Sequence, residues 1–347
     1  MKKVFTLIAV LAIAISFTTM AKAADDMDFH MNMRFWNTDN GNQAENRWSL
    51  HTVEFSAAKE VENFGGFVKY RLSDQLGNDA SSSNQSYLVG ANVYYKSGMH
   101  KVTLGLQFVP FGIYEWNNLY HPCLDIPGAM GKIWDADWGV LYTFDDQRFK
   151  LDIGYWDNSG EAGLPGGVNI NGTNMEREPD EKNTITLRAG YDILPIWNLG
   201  VSYLDGSADL DDVAGNLADT ESTMWAIDTT VTPYKNLFFE AEYVDYDYDD
   251  GEGMENDGDF GLVQVRYDIL KVPAPLDMIQ LVGQYSWLDP SFGGVGQGKI
   301  KNYQEQIRFK IAKNLNIFWQ NVQEKYPSAW GQDTDKYHYF AVKYDLF

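Results

Sequence analysis

The chain has 347 residues and a formal net charge of −22, from 27 Lys and Arg against 49 Asp and Glu. That balance excludes a nucleic-acid binder, whose phosphate contacts need a basic surface. The single cysteine excludes a disulfide framework, a CxxC redox pair and a Cys-rich metal centre.

The first 23 residues read as an export signal. Lys2 and Lys3 give a positive start, Val4 to Phe17 an apolar stretch, and Ala21-Lys22-Ala23 a small-residue cleavage site. The stretch is too short and wrongly flanked for a membrane anchor. Residues 24–347, with 24 basic and 49 acidic side chains, are expected to form a single domain. Nothing in them approaches the roughly 18 consecutive apolar residues of a spanning helix. Phe, Trp and Tyr make up 15% of the chain. An exported, aromatic-rich chain of this kind is either soluble or a β-barrel of an outer membrane, whose signal is alternation rather than apolar runs.

Candidate strands fall at 27–36, 47–58, 64–73, 86–97, 101–109, 134–144, 148–157, 183–193, 197–205, 222–232, 237–246, 260–270, 277–288, 302–311, 315–325 and 337–346, sixteen in all. In the fifth, Val102, Leu104, Leu106 and Phe108 oppose Thr103, Gly105 and Gln107. In the seventh, Phe149, Leu151, Ile153 and Tyr155 oppose Lys150, Asp152, Gly154 and Trp156. The eighth sets Ile185, Leu187, Ala189, Tyr191 and Ile193 against Thr184, Thr186, Arg188, Gly190 and Asp192. The twelfth sets Val263, Val265, Tyr267 and Ile269 against Gln264, Arg266 and Asp268, and the thirteenth sets Ile279, Leu281, Tyr285 and Trp287 against Gln280, Gln284 and Ser286. Successive strand side chains point to opposite faces, so each segment has one apolar and one polar face.

A soluble sandwich also alternates. Three features favour an all-β transmembrane antiparallel barrel. Segments of about 10 residues match a tilted membrane-crossing strand. Trp134, Trp156, Trp197, Tyr203, Tyr243 and Trp287 near the strand ends suit aromatic girdles. Full charges such as Arg188, Arg266 and Arg308 on the polar faces suit a watery lumen.

The connectors sort by parity. Ser97–His100, Asp145–Gln147, Leu194–Ile196, Pro233–Asn236 and Ala312–Asn314 are short. Gln75–Gln85, Pro110–Ile133, Asn158–Lys182, Gly206–Glu221, Asp247–Asp259, Asp289–Lys301 and Tyr326–Lys336 are longer and polar. Short periplasmic turns with long extracellular loops are the outer-membrane pattern. Two strands fit less well. The second groups Trp48, Leu50, Thr52 and Glu54 against His51, Val53 and Phe55, and the fifteenth puts Asn321 and Gln323 with Ile317 and Trp319. Either the register slips there or those faces meet protein, and a count of 14 or 18 stays open.

The whole pattern resembles a Gram-negative outer-membrane porin. The piece Leu104-Gly105-Leu106-Gln107-Phe108-Val109-Pro110-Phe111-Gly112 is similar to the "GQFKxPFG"-type strand end of the phosphate-selective porins O and P, with Leu106 inserted and Val109 in place of the basic residue. The terminal Phe347 resembles the assembly signal of such barrels, although Phe340, Val342, Tyr344 and Leu346 put it out of phase. The resemblance implies a sixteen-stranded, trimeric architecture and passive diffusion of small hydrophilic solutes or ions. It does not carry phosphate selectivity to a chain this acidic.

A barrel of this size encloses an aqueous channel that something must narrow. The connector 110–133 is the candidate: Ile113, Tyr114, Trp116, Leu119, Tyr120, Leu124, Ile126 and Met130 make it too apolar for a solvated loop. Folded inward it would present Glu115, Asp125 and Lys132 to the channel. By the same registers the lumen carries Lys69, Arg71, Lys150, Arg188, Arg266, Arg308 and Lys310 against Asp135, Asp137, Asp152, Asp192, Glu240, Glu242 and Asp268. One-sign rings select against ions of that sign, whereas mixed signs orient polar solutes or close into cross-strand pairs. The total charge favours a weak cation preference.

No cofactor or metal centre is expected. Asp245, Asp247 and Asp249 have EF-hand spacing, but Asp250 and Asn256 stand where that loop needs Gly and Glu. The acidic loops would face lipopolysaccharide bridged by divalent ions. The five histidines have no ligating spacing, and no nucleophile elbow, P-loop or dinucleotide fingerprint occurs. An outer-membrane lipid enzyme and a plugged structural barrel are the alternatives to a channel.

Overall fold

A computed structural model of the protein describes residues 27–39, 48–73, 85–113, 136–157, 180–211, 217–249, 255–270, 272–292, 295–296, 298–312, 314–327 and 334–345. The strands are β1 (Asp28–Asp39), β2 (Trp48–Val61), β3 (Phe64–Ser73), β4 (Gln85–Ser97), β5 (His100–Phe108) and β6 (Ala136–Asp145). They continue with β7 (Phe149–Asp157), β8 (Asp180–Leu194), β9 (Trp197–Asp211), β10 (Leu217–Tyr234), β11 (Leu237–Asp249) and β12 (Glu255–Ile269). The last are β13 (Met278–Phe292), β14 (Val295–Gly296), β15 (Ile300–Ala312), β16 (Leu315–Lys325) and β17 (Thr334–Asp345). All belong to one sheet. β14 is a two-residue ladder on the end of β13, and β13 pairs directly with β15. The wall therefore has the sixteen strands expected. It closes because β1 pairs antiparallel with both β2 and β17, which leaves no edge. The signal residues 1–23 and the terminal Phe347 lie outside the described residues.

Directly paired residues share a face. Glu54 sits opposite Asn32 in β1 and Arg71 in β3, and all three are buried. Their chain neighbours Tyr70 and Leu72 are exposed. The buried, largely polar face is the inside of the barrel. The outside carries Val68, Val93, Leu104, Val140, Ile153, Leu187, Val201, Ile227, Val263 and Leu281, all exposed and apolar. An apolar outer surface around a polar interior is the inverse of a soluble protein and the arrangement a bilayer requires.

Aromatic side chains border this surface. At the short-turn end Phe64 packs on Tyr95 with ring centroids 4.9 Å apart, and Trp197 Nε1–H donates to Thr229 Oγ1 at 2.9 Å. Toward the other end Trp225 packs on Tyr243 and Tyr285 on Trp287 and Tyr303. There the indoles of Trp225 and Trp287 donate to Asp245 and Asp259 at 3.0 and 2.7 Å. Those carboxylates mark where the outer face turns polar. Trp156, expected in a girdle, points inward instead and is fully buried. Its parity puts it on the face of Asp152 and Gly154, and the inside there accepts an aromatic ring. Trp134 lies outside the described residues.

Several connectors expected as loops are strand. The β9–β10 ladder runs on to the pair Asp211–Leu217, the β11–β12 ladder to Asp249–Glu255, and β13 to Phe292. β10 has 18 residues, 217–234, where 222–232 was expected. The sequence criterion ends a strand where apolar alternation ends. The ladder continues into polar sequence because its hydrogen bonds satisfy the backbone regardless of which solvent the side chains meet.

The two weak strands separate into different causes. In β2 the pairing with β1 shifts between Arg34–Thr52 and Phe35–Leu50, skipping His51. A bulge of this kind reverses the alternation of the strand on either side of it. In β16 the register holds: Asn316, Phe318, Gln320 and Val322 are buried inside, and Asn321 and Gln323 lie outside toward the long-connector end, where the surface is polar. Gly105 has φ +124°, and a Cβ there would overlap the Ala91 carbonyl on β4, so this close strand contact admits only glycine.

The outer face sets a direct test. Val263→Arg places a cation midway along the exposed apolar side of β12, and is expected to reduce the free energy of unfolding from lipid vesicles by about 2–4 kcal/mol. Thr230→Arg, on the inward face of β10 and only half-buried, is expected to cost far less in the same urea titration.

Candidate functional site

β5 ends at Phe108, and the chain leaves the wall into the barrel rather than over its rim. Val109 and Phe111 are buried in a cluster with Trp156 of β7, Leu204 of β9, Met224 and Ala226 of β10, Val244 and Tyr246 of β11, Phe260 of β12 and Leu288 of β13. The ladder registers put these wall residues side by side: Met224 lies opposite Leu204 and Tyr246, and Ala226, Val244, Phe260 and Leu288 follow one another across four strands. One arc of the inner wall is thus apolar, and the segment after β5 lies on it.

Two polar contacts hold the segment there. Gly112 N–H donates to Ser202 Oγ at 3.0 Å, and Ile113 N–H donates to Glu242 Oε1 at 3.2 Å. Gly112 has φ +63°, and a Cβ there would overlap the Glu242 carboxylate. Both the backbone conformation and the closeness of the contact require glycine. The sequence expectation that connector 110–133 folds inward concerns this region. Its first residues, 110–113, lie inside the barrel, whereas Glu115, Asp125, Lys132 and also Asp135 lie outside the described residues.

The remaining charged residues named from sequence fall on the inner face, in local groups. Glu54 accepts hydrogen bonds from Arg71, with Nε at 2.7 Å, and lies 3.3 Å from Lys69 Nζ. Asn32 also donates to this carboxylate. Asp152 accepts from Thr143 and pairs with Lys150 at 3.1 Å. Arg188 on β8 reaches over β9 to Asp228 on β10, with Nη1 2.5 Å from Oδ2, and also donates to Ser202. Ser202 therefore joins this ion pair to the inward segment.

Farther round, Glu240 accepts from Gln264 at 2.6 Å and Asp268 from Gln280 at 2.8 Å. Arg266 lies 3.8 Å from Asp268 and stacks over the Phe238 ring at 3.7 Å. Arg308 donates to Asn316 and lies over Phe318. Asp137 is buried opposite Gln107, and Lys310 lies half-buried opposite Asn316.

Sequence reasoning missed Glu54 and Asp228, the acids that bind Lys69, Arg71 and Arg188. Glu54 sits in the strand whose bulge scrambled the pattern, and Asp228 follows Met224 and Ala226 on a face that reads as mixed. The apolar arc was missed for the same reason: on β9–β11 both faces carry apolar residues, and alternation has nothing to report.

The fold is that of a closed sixteen-stranded antiparallel barrel. It is similar to the outer-membrane OmpT of Vibrio cholerae, with TM-score 0.64 and 12% identity over 92% of this chain and 97% of that one. It is similar to the outer-membrane channel DcaP of Acinetobacter baumannii, with TM-score 0.64 and 11% identity over 92% and 97%. An anion-selective porin from Comamonas acidovorans gives TM-score 0.61 and 11% identity over 92% and 98%. No protein-family model and no curated protein matches the sequence. At these identities the likeness establishes the fold.

Two variants test the inner-wall contacts. Arg188→Ala strands the fully buried Asp228 side chain and is expected to reduce unfolding free energy by about 3 kcal/mol. Adding Asp228→Ala should recover part of that loss in the same urea titration, because no buried charge is then left alone. Gly112→Ala is expected to expel the segment from its site without unfolding the wall. Chymotrypsin cleavage after Phe111 in the folded protein, absent in the wild type, would report it.

Proposed function

We propose that this chain is an outer-membrane porin of a Gram-negative bacterium. In this reading it allows passive diffusion of ions and small hydrophilic solutes and catalyses no reaction. The observation that carries the reading is the closed barrel, apolar outside and polar inside, with the segment after β5 folded into it. Residues 1–23 act as the export signal, and 24–347 form one barrel embedded in lipid and facing lipopolysaccharide. The continuation of the inward segment supplies the constriction, with Glu115, Asp125 and Lys132 on it. Lys69, Arg71, Asp135, Asp137, Asp152, Arg188, Glu240, Glu242, Arg266, Asp268, Arg308 and Lys310 line the path.

The inner cations lie mostly on β12, β15 and β3, while the acids are spread more widely round the wall, which divides the charge unevenly. Such a division orients polar solutes and leaves a weak cation preference from the excess of acid. The protomer assembles as a homotrimer, the form in which a refolded OmpT of Vibrio cholerae is described. The strand end 104–112 also supports kinship with the phosphate-selective porins O and P, without their anion preference. The apolar inner arc favours a second reading, a barrel filled by a partner.

Reconstitution of the unboiled protein in a planar bilayer, with reversal potentials across a KCl gradient, decides between them. Stepwise conductance with a cation-selective potential is expected. Anion selectivity would make the lumen cations dominant, and the absence of conductance would overturn the channel.

A further inference from the structure

The outer face at the long-connector end changes sign round the barrel. On β9–β12 its side chains there include Asp205, Asp245, Asp257 and Asp259. On β15–β17 they include Lys301, Lys325 and Lys336, with Lys299 just before β15. In a chain with 27 basic and 49 acidic residues this is a local concentration of cation. Lys325 and Lys336 are exposed, and Lys299 and Lys301 are half-buried, so all four are open to what lies outside the wall.

The ladders put Lys301 directly opposite both Trp287 of β13 and Lys325 of β16. Lys299 Nζ lies 5.4 Å from the Trp287 ring centroid, and Lys325 Nζ lies 5.2 Å from that of Tyr303. Long cations at a membrane border lay their stems on apolar surface and hold the ammonium in the polar layer. Trp287 also donates to Asp259, at the level where the outer face turns polar. These ammonium groups therefore stand at the height of lipid headgroups.

Like charges directly opposite one another on a ladder are destabilising unless they are neutralised. Lys299 pairs with Asp289 at 3.4 Å. Among the described residues no carboxylate lies within salt-bridge range of Lys301, Lys325 or Lys336. Glu305, the next acid on that face of β15, is two outward positions down, toward the apolar band. An anion from outside the protein supplies the counter-charge, and the neighbours of this surface are lipid headgroups. A phosphate offers several acceptor oxygens and takes charge-assisted hydrogen bonds from two ammonium groups at once. The acidic sector on β9–β12 would meet the same phosphate only through divalent cations.

We infer that the outer face of β15 and β16 at the long-connector end binds the phosphorylated sugar headgroup of lipopolysaccharide directly, with Lys301 and Lys325 on one phosphate and Lys336 beside them. This rests on the outer-membrane reading, in which the long connectors face outward.

The test titrates bisphosphorylated lipid A, in EDTA, into full-length protein folded in detergent without lipopolysaccharide. Lys301→Gln/Lys325→Gln removes the charges, and Lys301→Arg/Lys325→Arg keeps them. Lys59→Gln, on the outer face at the short-turn end of β2, is the control. Binding in EDTA is expected, with the apparent Kd raised about ten-fold or more in the Gln variant and little changed in the Arg variant or the control. Dephosphorylated lipid A should bind weakly and alike to all four proteins.

Equal affinity of the wild type and the Gln variant would overturn the site. Wild-type binding that vanishes in EDTA would overturn it too, and move the lipid to the acidic sector. Phosphatidylglycerol competing as well as lipid A would overturn the choice of headgroup. Planar-bilayer conductance of the same samples separates this site from the channel reading, because these lysines lie outside the lumen and the variants should conduct as the wild type does. Lysine-dependent binding by a protein that passes no current keeps the site and overturns the channel. A conducting protein whose binding ignores the lysines does the reverse.

Discussion

An apolar patch on the inside of a barrel has to be covered. Leu204, Met224, Ala226, Val244, Phe260 and Leu288 would otherwise face the lumen, and apolar surface exposed to water is unfavourable by roughly 25 cal/mol per Å². The segment after β5 covers part of this arc with Val109 and Phe111, and most of the inner architecture follows from that contact. The backbone of the segment has to be satisfied where it lands, which brings in Ser202 and Glu242. The landing must be close, which brings in Gly112. Ser202 is in turn shared with Arg188, so the segment and the Arg188–Asp228 pair are positioned by the same hydroxyl.

Elsewhere the inside is a mosaic of small closed groups rather than rings of one sign. Glu54 pairs with both Lys69 and Arg71, Asp228 pairs with Arg188, and Phe238 and Phe318 take the faces of Arg266 and Arg308. Charges held this way contribute less to a long-range potential than a count of Lys, Arg, Asp and Glu implies. Their partners fix the side chains, so the shape of the wall is better defined than its formal charge. The arrangement suits a surface that discriminates by shape and hydrogen bonding.

The barrel was legible in the sequence because a bilayer imposes a two-residue period on every wall strand, and because turns and loops alternate in length. Sixteen strands and the direction of the outer face follow from those two signals. The failures lie where a second rule operates. The bulge at His51 hides Glu54, and apolar residues on both faces of β9–β11 hide the inner arc. Trp156 reads as a girdle residue from its type and position near a strand end, although its parity points inside. The upper ladders were missed because strand pairing continues beyond the lipid, where nothing requires apolar side chains. Residues on the inside were placed by period alone, whereas their partners depend on register between strands distant in sequence.

The tall ladders between β9 and β13 have a consequence at the mouth. They carry Asp205, Glu221, Asp245, Asp247, Asp257, Asp259 and Asp289 on paired strands rather than on loops that could turn away. Carboxylates held on such a lattice keep their spacing, and within about 10 Å of them, the screening length at 0.1 M salt, mobile cations accumulate and anions are depleted. The solution around the outer face of the rim therefore differs in composition from the bulk, more so in dilute media than in saline ones, and more on one side of the rim than on the other.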